Sequence, residues 1–255
     1  MKTIFTLLFV FMVSILPHAY AKDNKVLIPT GKATIGTDNA ELKQQLANPR
    51  AKTEWYLNET PKRIIELVGF YIDKTEVTNS DFTKIFTKHF YPSNLTDHPA
   101  VNVTWAEADS YCRKSGGHLP TEEEWEYAAR GEKGSIYPWG DNFEPDYAVY
   151  GSRGSMGSEV KPGSYKLEES GSTLLGGTSP VGSRLKGKSE SGIYDMAGNV
   201  WEWVDGWYDK EKNLRTLKGG SWLSPKESLR SAVRLGDSPN SHFNDYGFRC
   251  AYSID

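Results

Sequence analysis

The sequence predicts an α+β domain, rich in loops, with small antiparallel sheets and a few helices, and three observations lead there. Apolar residues are scattered rather than periodic, and eight Trp and 24 Gly suit a core of aromatics and tight turns better than a helical bundle. Short runs rich in β-branched and aromatic residues lie toward both ends of the chain. Between them stand three helix starts marked by capping residues. The 255 residues carry a formal net charge of −3, which fits one large domain and shows no basic stripe of the kind a nucleic-acid binder needs.

Residues 1–21 read as a secretory signal peptide. Lys2 supplies the positive charge, Ile4 to Leu16 the apolar run, and Ala19-Tyr20-Ala21 the small-residue cleavage site. That run falls short of the ~20 residues that cross a bilayer as a helix. Lys22 is then the first mature residue, and residues 22–255 form a single domain. No later segment is apolar enough to span a membrane, and Tyr20-Ala21-Lys22 lacks a lipobox cysteine. The expected location is the periplasm or the exterior.

Strand-like runs follow at Lys25–Pro29 and Ala33–Gly36. The polar segment Asp38–Glu59 is either a short helix around Glu41–Ala47 or a loop. Arg63–Leu67 and Gly69–Asp73 read as strands. Thr78 opens a helix in which Phe82, Ile85 and Phe86 recur on one face. Thr104 with Glu107 and Thr121 with Glu124 are capping boxes. Ala108, Tyr111 and Cys112 follow the first, while Trp125, Ala128 and Ala129 follow the second, which stops at Gly131. Residues 131–190 are rich in Gly, Ser, Pro and Tyr and read as irregular loops, which are often functional when this long. The last third reads as short strands at Val200–Val204, Arg215–Lys218, Ser231–Leu235 and Gly247–Tyr252.

The two cysteines, Cys112 and Cys250, make an even count in an exported chain, which favours a disulfide. A buried thiol pair or a metal site is the alternative, and two cysteines without a nearby His make a poor zinc site.

Four stretches, in order, resemble the sulfatase-modifying-factor family, whose best-known members are the formylglycine-generating enzymes. They are Gly69–Asn79; His98–Trp105 running through Leu119–Gly131; Tyr194–Trp203; and Gly219–Trp222 continuing to Tyr246–Cys250. Together they cover most of residues 65–252. The resemblance implies a loop-rich variant of the C-type lectin fold, and places Cys112 and Cys250 where the enzymes carry a structural disulfide. Taken alone, these blocks are mainly core-building and speak for fold rather than function.

The same resemblance implies that the chemistry is missing. Formylglycine-generating enzymes bind copper through two thiols shortly after Gly-Gly-Ser-Trp. Ser224 stands at the first of those positions and Leu229 at the second. A hydroxyl does not replace a soft thiolate on copper(I), so neither copper nor iron is expected. A branch using iron held by three histidines finds no support in His89, His98, His118 and His242, which show no helical pairing. Another branch acts on peptide siderophores without the cysteine pair. It keeps open the alternative of a periplasmic oxidoreductase or maturation enzyme working on a peptide or siderophore without the copper–cysteine site. Groove candidates are Trp222, Ser224, Glu227, Arg230 and Arg234, although arginines four apart often make structural ion pairs. The resemblance also implies a structural calcium held by Asp195, Gly198, Val200 and Glu202; the competing reading pairs Glu202 with Arg249. The favoured function is an exported, non-catalytic binding or accessory protein. Its loops at 141–190 and 223–246 would meet a protein, peptide or glycan.

Overall fold

The computed structural model describes residues 24–46, 53–151 and 177–254. The expected signal peptide, part of the Asp38–Glu59 segment and residues 152–176 of the expected recognition loops lie outside the described residues.

Nine short strands form three separate sheets. β4 (Phe70–Asp73) is the centre of a three-stranded sheet, with β1 (Lys25–Ile28) on one side and β9 (Ala251–Ser253) on the other, both antiparallel to it. β2 (Gly31–Ile35) and β3 (Arg63–Leu67) form an antiparallel ribbon. The third sheet runs in the order β7 (Arg234–Asp237), β6 (Leu214–Lys218), β5 (Trp201–Asp209) and β8 (Tyr246–Gly247), with β8 parallel to β5.

Four α-helices stand among the described residues: three begin at the starts the sequence signals, and the first falls in the segment left open between a short helix and a loop. α1 (Asn39–Gln45) begins at Asp38, whose side chain accepts from two backbone N–H groups. α2 (Asn79–Ile85) begins at Thr78. α3 (Trp105–Lys114) and α4 (Glu122–Arg130) both start with complete capping boxes, in which the cap hydroxyl and the third helical carboxylate satisfy each other's orphan N–H groups. Such a motif specifies a helix start locally.

Two strand expectations are corrected. Ser231–Leu235 is not one strand: Ser231 N–H is drawn to Ile136 O and Val233 N–H closes a turn onto Arg230 O, so β7 begins at Arg234. Gly247–Tyr252 is split, because Phe248 O and Cys250 O accept from Val77 and Asp73 while the Arg249 side chain turns inward. β5 extends beyond Val204 to Asp209, with irregular register after Trp203.

Two large apolar clusters fill the interior. One gathers Phe82, Tyr111, Trp203, Tyr246 and Phe248 around the buried Cys112–Cys250 disulfide, whose S–S distance is 2.01 Å. This bridge ties α3 to the residue preceding β9. The other packs Trp125 of α4 against Ile28, Ile72, Met196 and Val204.

Candidate functional site

The Gly219-Gly220-Ser221-Trp222 block follows β6 directly. Gly219 and Gly220 have φ of +92° and +76°, a region open to Gly and strained for other residues. A Cβ on Gly220 would stand 2.7 Å from Leu229 Cδ2, so the bare backbone here lets the Leu229 side chain lie against it. Leu229 is fully buried in a third apolar cluster with Tyr137, Ala148 and Ala197.

Ser224 is buried too, at 1 % exposure. Its hydroxyl oxygen accepts from Ser221 N–H at 2.9 Å and lies 3.2 Å from Ser221 Oγ, which donates to Asp245 Oδ2 at 2.8 Å. Burial pushes the Asp245 carboxyl up to about 6, against the opposing pull of the Ser221 hydrogen bond. Among the described residues no imidazole bonds these hydroxyls, and the cluster ties the Gly-Gly-Ser-Trp turn to the chain ahead of β8. Trp222 lies half-buried above it, its backbone N–H donating to Asn199 O at 2.9 Å.

The remaining groove candidates do not converge. Arg230 is 1 % exposed and grips Glu59 with two hydrogen bonds of 2.7 and 2.8 Å. A third bond goes to Gln45 Oε1 at 3.0 Å. Arg234 donates to Glu122 Oε2 at 2.9 Å. Both arginines anchor the chain to other elements; Arg230 is buried, and Arg234 lines a separate pocket with Glu122 and Trp207. Glu227 is also buried, yet it contributes to the wall of a cleft described below.

Of the expected calcium ligands, Glu202 is bonded to an internal cation. Arg249 is fully buried, its Nη2 and Nε bonding the two Glu202 oxygens at 2.6 and 2.7 Å. It also donates to Asp73 O at 3.2 Å and Tyr194 O at 2.9 Å. Trp125 Nε1 adds a bond of 2.7 Å to Glu202 Oε2. A calcium ion draws on 6–8 oxygens, and here the Glu202 carboxylate and its neighbouring carbonyls are already turned to the guanidinium. The Glu202 side chain therefore does not fit as a calcium ligand. Asp195 and Gly198 both adopt positive φ, and Asp195 Oδ2 accepts from Gly182 N–H at 2.5 Å.

Sequence reasoning missed Glu76, which sits inside the first motif. Asn199 Nδ2 donates to its Oε1 at 2.8 Å, and its Oε2 has no hydrogen-bond partner. Burial, reinforced by the Asp195 charge, holds Glu76 well above the usual carboxylate range. Nothing in a lone Thr-Glu-Val-Thr run announces a buried acid; the signal is only its place within the motif.

A cleft of about 590 Å³ opens between α1, the end of α4 and the turns at 141–143 and 226–227. Its lining includes Gln44, Tyr137, Asn142, Phe143, Lys226 and Glu227. No helix among the described residues is long and apolar enough to cross a membrane.

The family model described as the sulfatase-modifying factor enzyme 1-like domain matches residues 15–254. The chain belongs to this family. Within the sulfatase-modifying-factor family it is similar to the bovine "Inactive C-alpha-formylglycine-generating enzyme 2", with 38 % identity over 61 % of this chain and 50 % of that protein. It is also similar to the mouse formylglycine-generating enzyme, with 26 % identity over 92 % of this chain and 76 % of that one. The chain spans about half the length of the inactive bovine and mouse relatives. Among solved structures, Treponema denticola variable protein 1 superposes with a TM-score of 0.66 at 21 % identity, covering 90 % of this chain and 95 % of that one. PvdO from Pseudomonas aeruginosa gives 0.64 at 21 % identity, covering 90 % and 94 %. These neighbours establish the C-type-lectin-like, formylglycine-generating-enzyme type of fold.

Proposed function

We propose that this chain is an exported, non-catalytic binding or accessory protein built on a sulfatase-modifying-factor domain. The carrying observation is its sulfur inventory. The family's oxidation of a cysteine requires thiolates to hold copper. This sequence has two cysteines in all, and they are bonded to each other. Ser224 and Leu229, at the positions that the resemblance assigns to the thiols, are both buried, one in a hydroxyl–carboxyl cluster and the other in apolar packing. The name of the inactive relatives supports the same reading. Recognition falls to irregular loops carried on the scaffold, the usual place for binding residues, and its partner is a protein, peptide or glycan.

The reading is tested by incubating the purified protein with copper(I), oxygen and a cysteine-bearing sulfatase peptide, then weighing the peptide by mass spectrometry. The expected result is an unchanged peptide; conversion of its thiol to an aldehyde would refute the non-catalytic reading. Export is tested by N-terminal sequencing of the mature protein, which should begin at Lys22.

A further inference from the structure

We propose that the cleft between α1, the end of α4 and the turns at 141–143 and 226–227 is the ligand site, and that its ligand is a saccharide. The proposal rests on the binding-protein reading above and names the site and the ligand class. At about 590 Å³ the cleft falls within the ~300–1,000 Å³ typical of small-ligand sites.

The ionic groups of the lining are largely spoken for by the protein. Lys62 holds Glu41 at 2.5 Å. Arg130 is committed to Glu126 and to the carbonyls of Gly36, Gly134 and Ser135. Lys133 pairs with Glu190 at 2.9 Å. Asp141 accepts from Ile136 N–H. The lining holds both cations (Lys62, Arg130, Lys133, Lys226) and carboxylates (Glu41, Asp141, Glu227), with no strongly dominant sign to select a small ion.

What remains unengaged is mostly neutral and two-sided. Gln44 and Asn142 make no side-chain hydrogen bond among the described residues, and each amide offers both donors and an acceptor. Gln45 spends its oxygen on Arg230 and keeps its amide hydrogens. Beside them, Phe143 is half-buried, 5.6 Å from the Tyr137 ring, with the Lys226 ammonium 5.9 Å above it. A sugar ring suits this combination. Each hydroxyl both donates and accepts, as the amides do, and the ring's C–H face is an apolar plate for an aromatic side chain. A small inorganic anion would use the ammonium and leave the amides and the ring without work. Strand addition, a common mode of peptide recognition, needs a sheet edge, and no strand residue is among those that line the cleft.

The test is isothermal titration and saturation-transfer NMR of the full chain against soluble β-glucan, chitin and uronate oligosaccharides, with short mixed-sequence peptides as comparators. At least one saccharide class should bind. Asn142→Ala, an exposed position, should weaken it about fivefold, the loss of one hydrogen bond. Phe143→Ala should weaken it about tenfold, with circular dichroism confirming that each variant is folded. Absence of binding by every saccharide, saccharide binding that survives Asn142→Ala and Phe143→Ala undiminished, or tighter binding of the peptides would each overturn the proposal. Its failure is separable from failure of the broader reading: an aldehyde in the peptide assay refutes the non-catalytic role, whereas an unchanged peptide with no sugar bound refutes only the cleft assignment.

Discussion

Arg249 holds four oxygens in a dry interior, and breaking a buried pair by removing one partner leaves an uncompensated charge. Arg249→Met is therefore expected to lower stability by about 3–5 kcal/mol, read by urea denaturation. Because the guanidinium rather than a metal faces Glu202, EDTA should leave the melting temperature unchanged; a fall of several degrees would place calcium there after all. Asp245 gives a signed pH effect. Its ordinary value is 3.8 and burial raises it to about 6. Between those values the unfolded chain has released its proton while the folded chain retains it. The contribution is thus complete below about pH 4 and is lost as pH rises through 6, amounting to roughly 3 kcal/mol. Asp245→Asn, whose side-chain oxygen still accepts from Ser221, should reduce the fall of stability across that window in thermal melts from pH 4 to 7, leaving the share of Asp73, which burial raises to about 7. Residue roles at this scale were only partly legible. The Arg249–Glu202 pair was visible as an alternative to calcium, because an Arg beside a bridging Cys suggests a buried partner. The burial of Ser224, Glu227 and Arg230 was not visible, since each residue type is ordinarily found at surfaces and the partners lie up to 185 residues away.

At the scale of elements, local chemistry was the reliable guide. Thr104, Thr121 and Thr78, each followed by apolar residues on one face, announced three helices, and these start where expected. Thr121→Ala should cost about 1 kcal/mol, measured as a shift in denaturation midpoint. The loss exceeds that of an ordinary cap if His118 is also released, since Glu124 both closes the capping box and meets His118 at 3.1 Å. That contact raises the His118 pKa, chiefly through the Glu124 hydrogen bond. Strands were legible where β-branched and aromatic residues cluster, as in β1, β3 and β4. They were less so at 231–235 and 247–252, where long-range backbone bonds and an inward arginine decide the path. Those partners are tertiary, and no window of neighbouring residues contains them.

For the molecule as a whole, the four family motifs made the fold readable, whereas the cleft was not, because α1, α4 and two distant turns contribute its walls. The disulfide is a covalent restraint of long range, joining residues 138 apart. On the chain-entropy model, closing a loop of that length contributes about 5 kcal/mol. A Cys112→Ala, Cys250→Ala double variant should unfold at correspondingly lower denaturant, and a loss below about 1 kcal/mol would count against that account. Both sulfurs are fully buried among Phe82, Tyr111 and Phe248. A reductant can touch them only in those moments when the interior comes apart. The pace of thiol release in excess mild reductant is therefore a clock for spontaneous opening, ticking without heat or denaturant and counting events far too rare for an equilibrium melt to register.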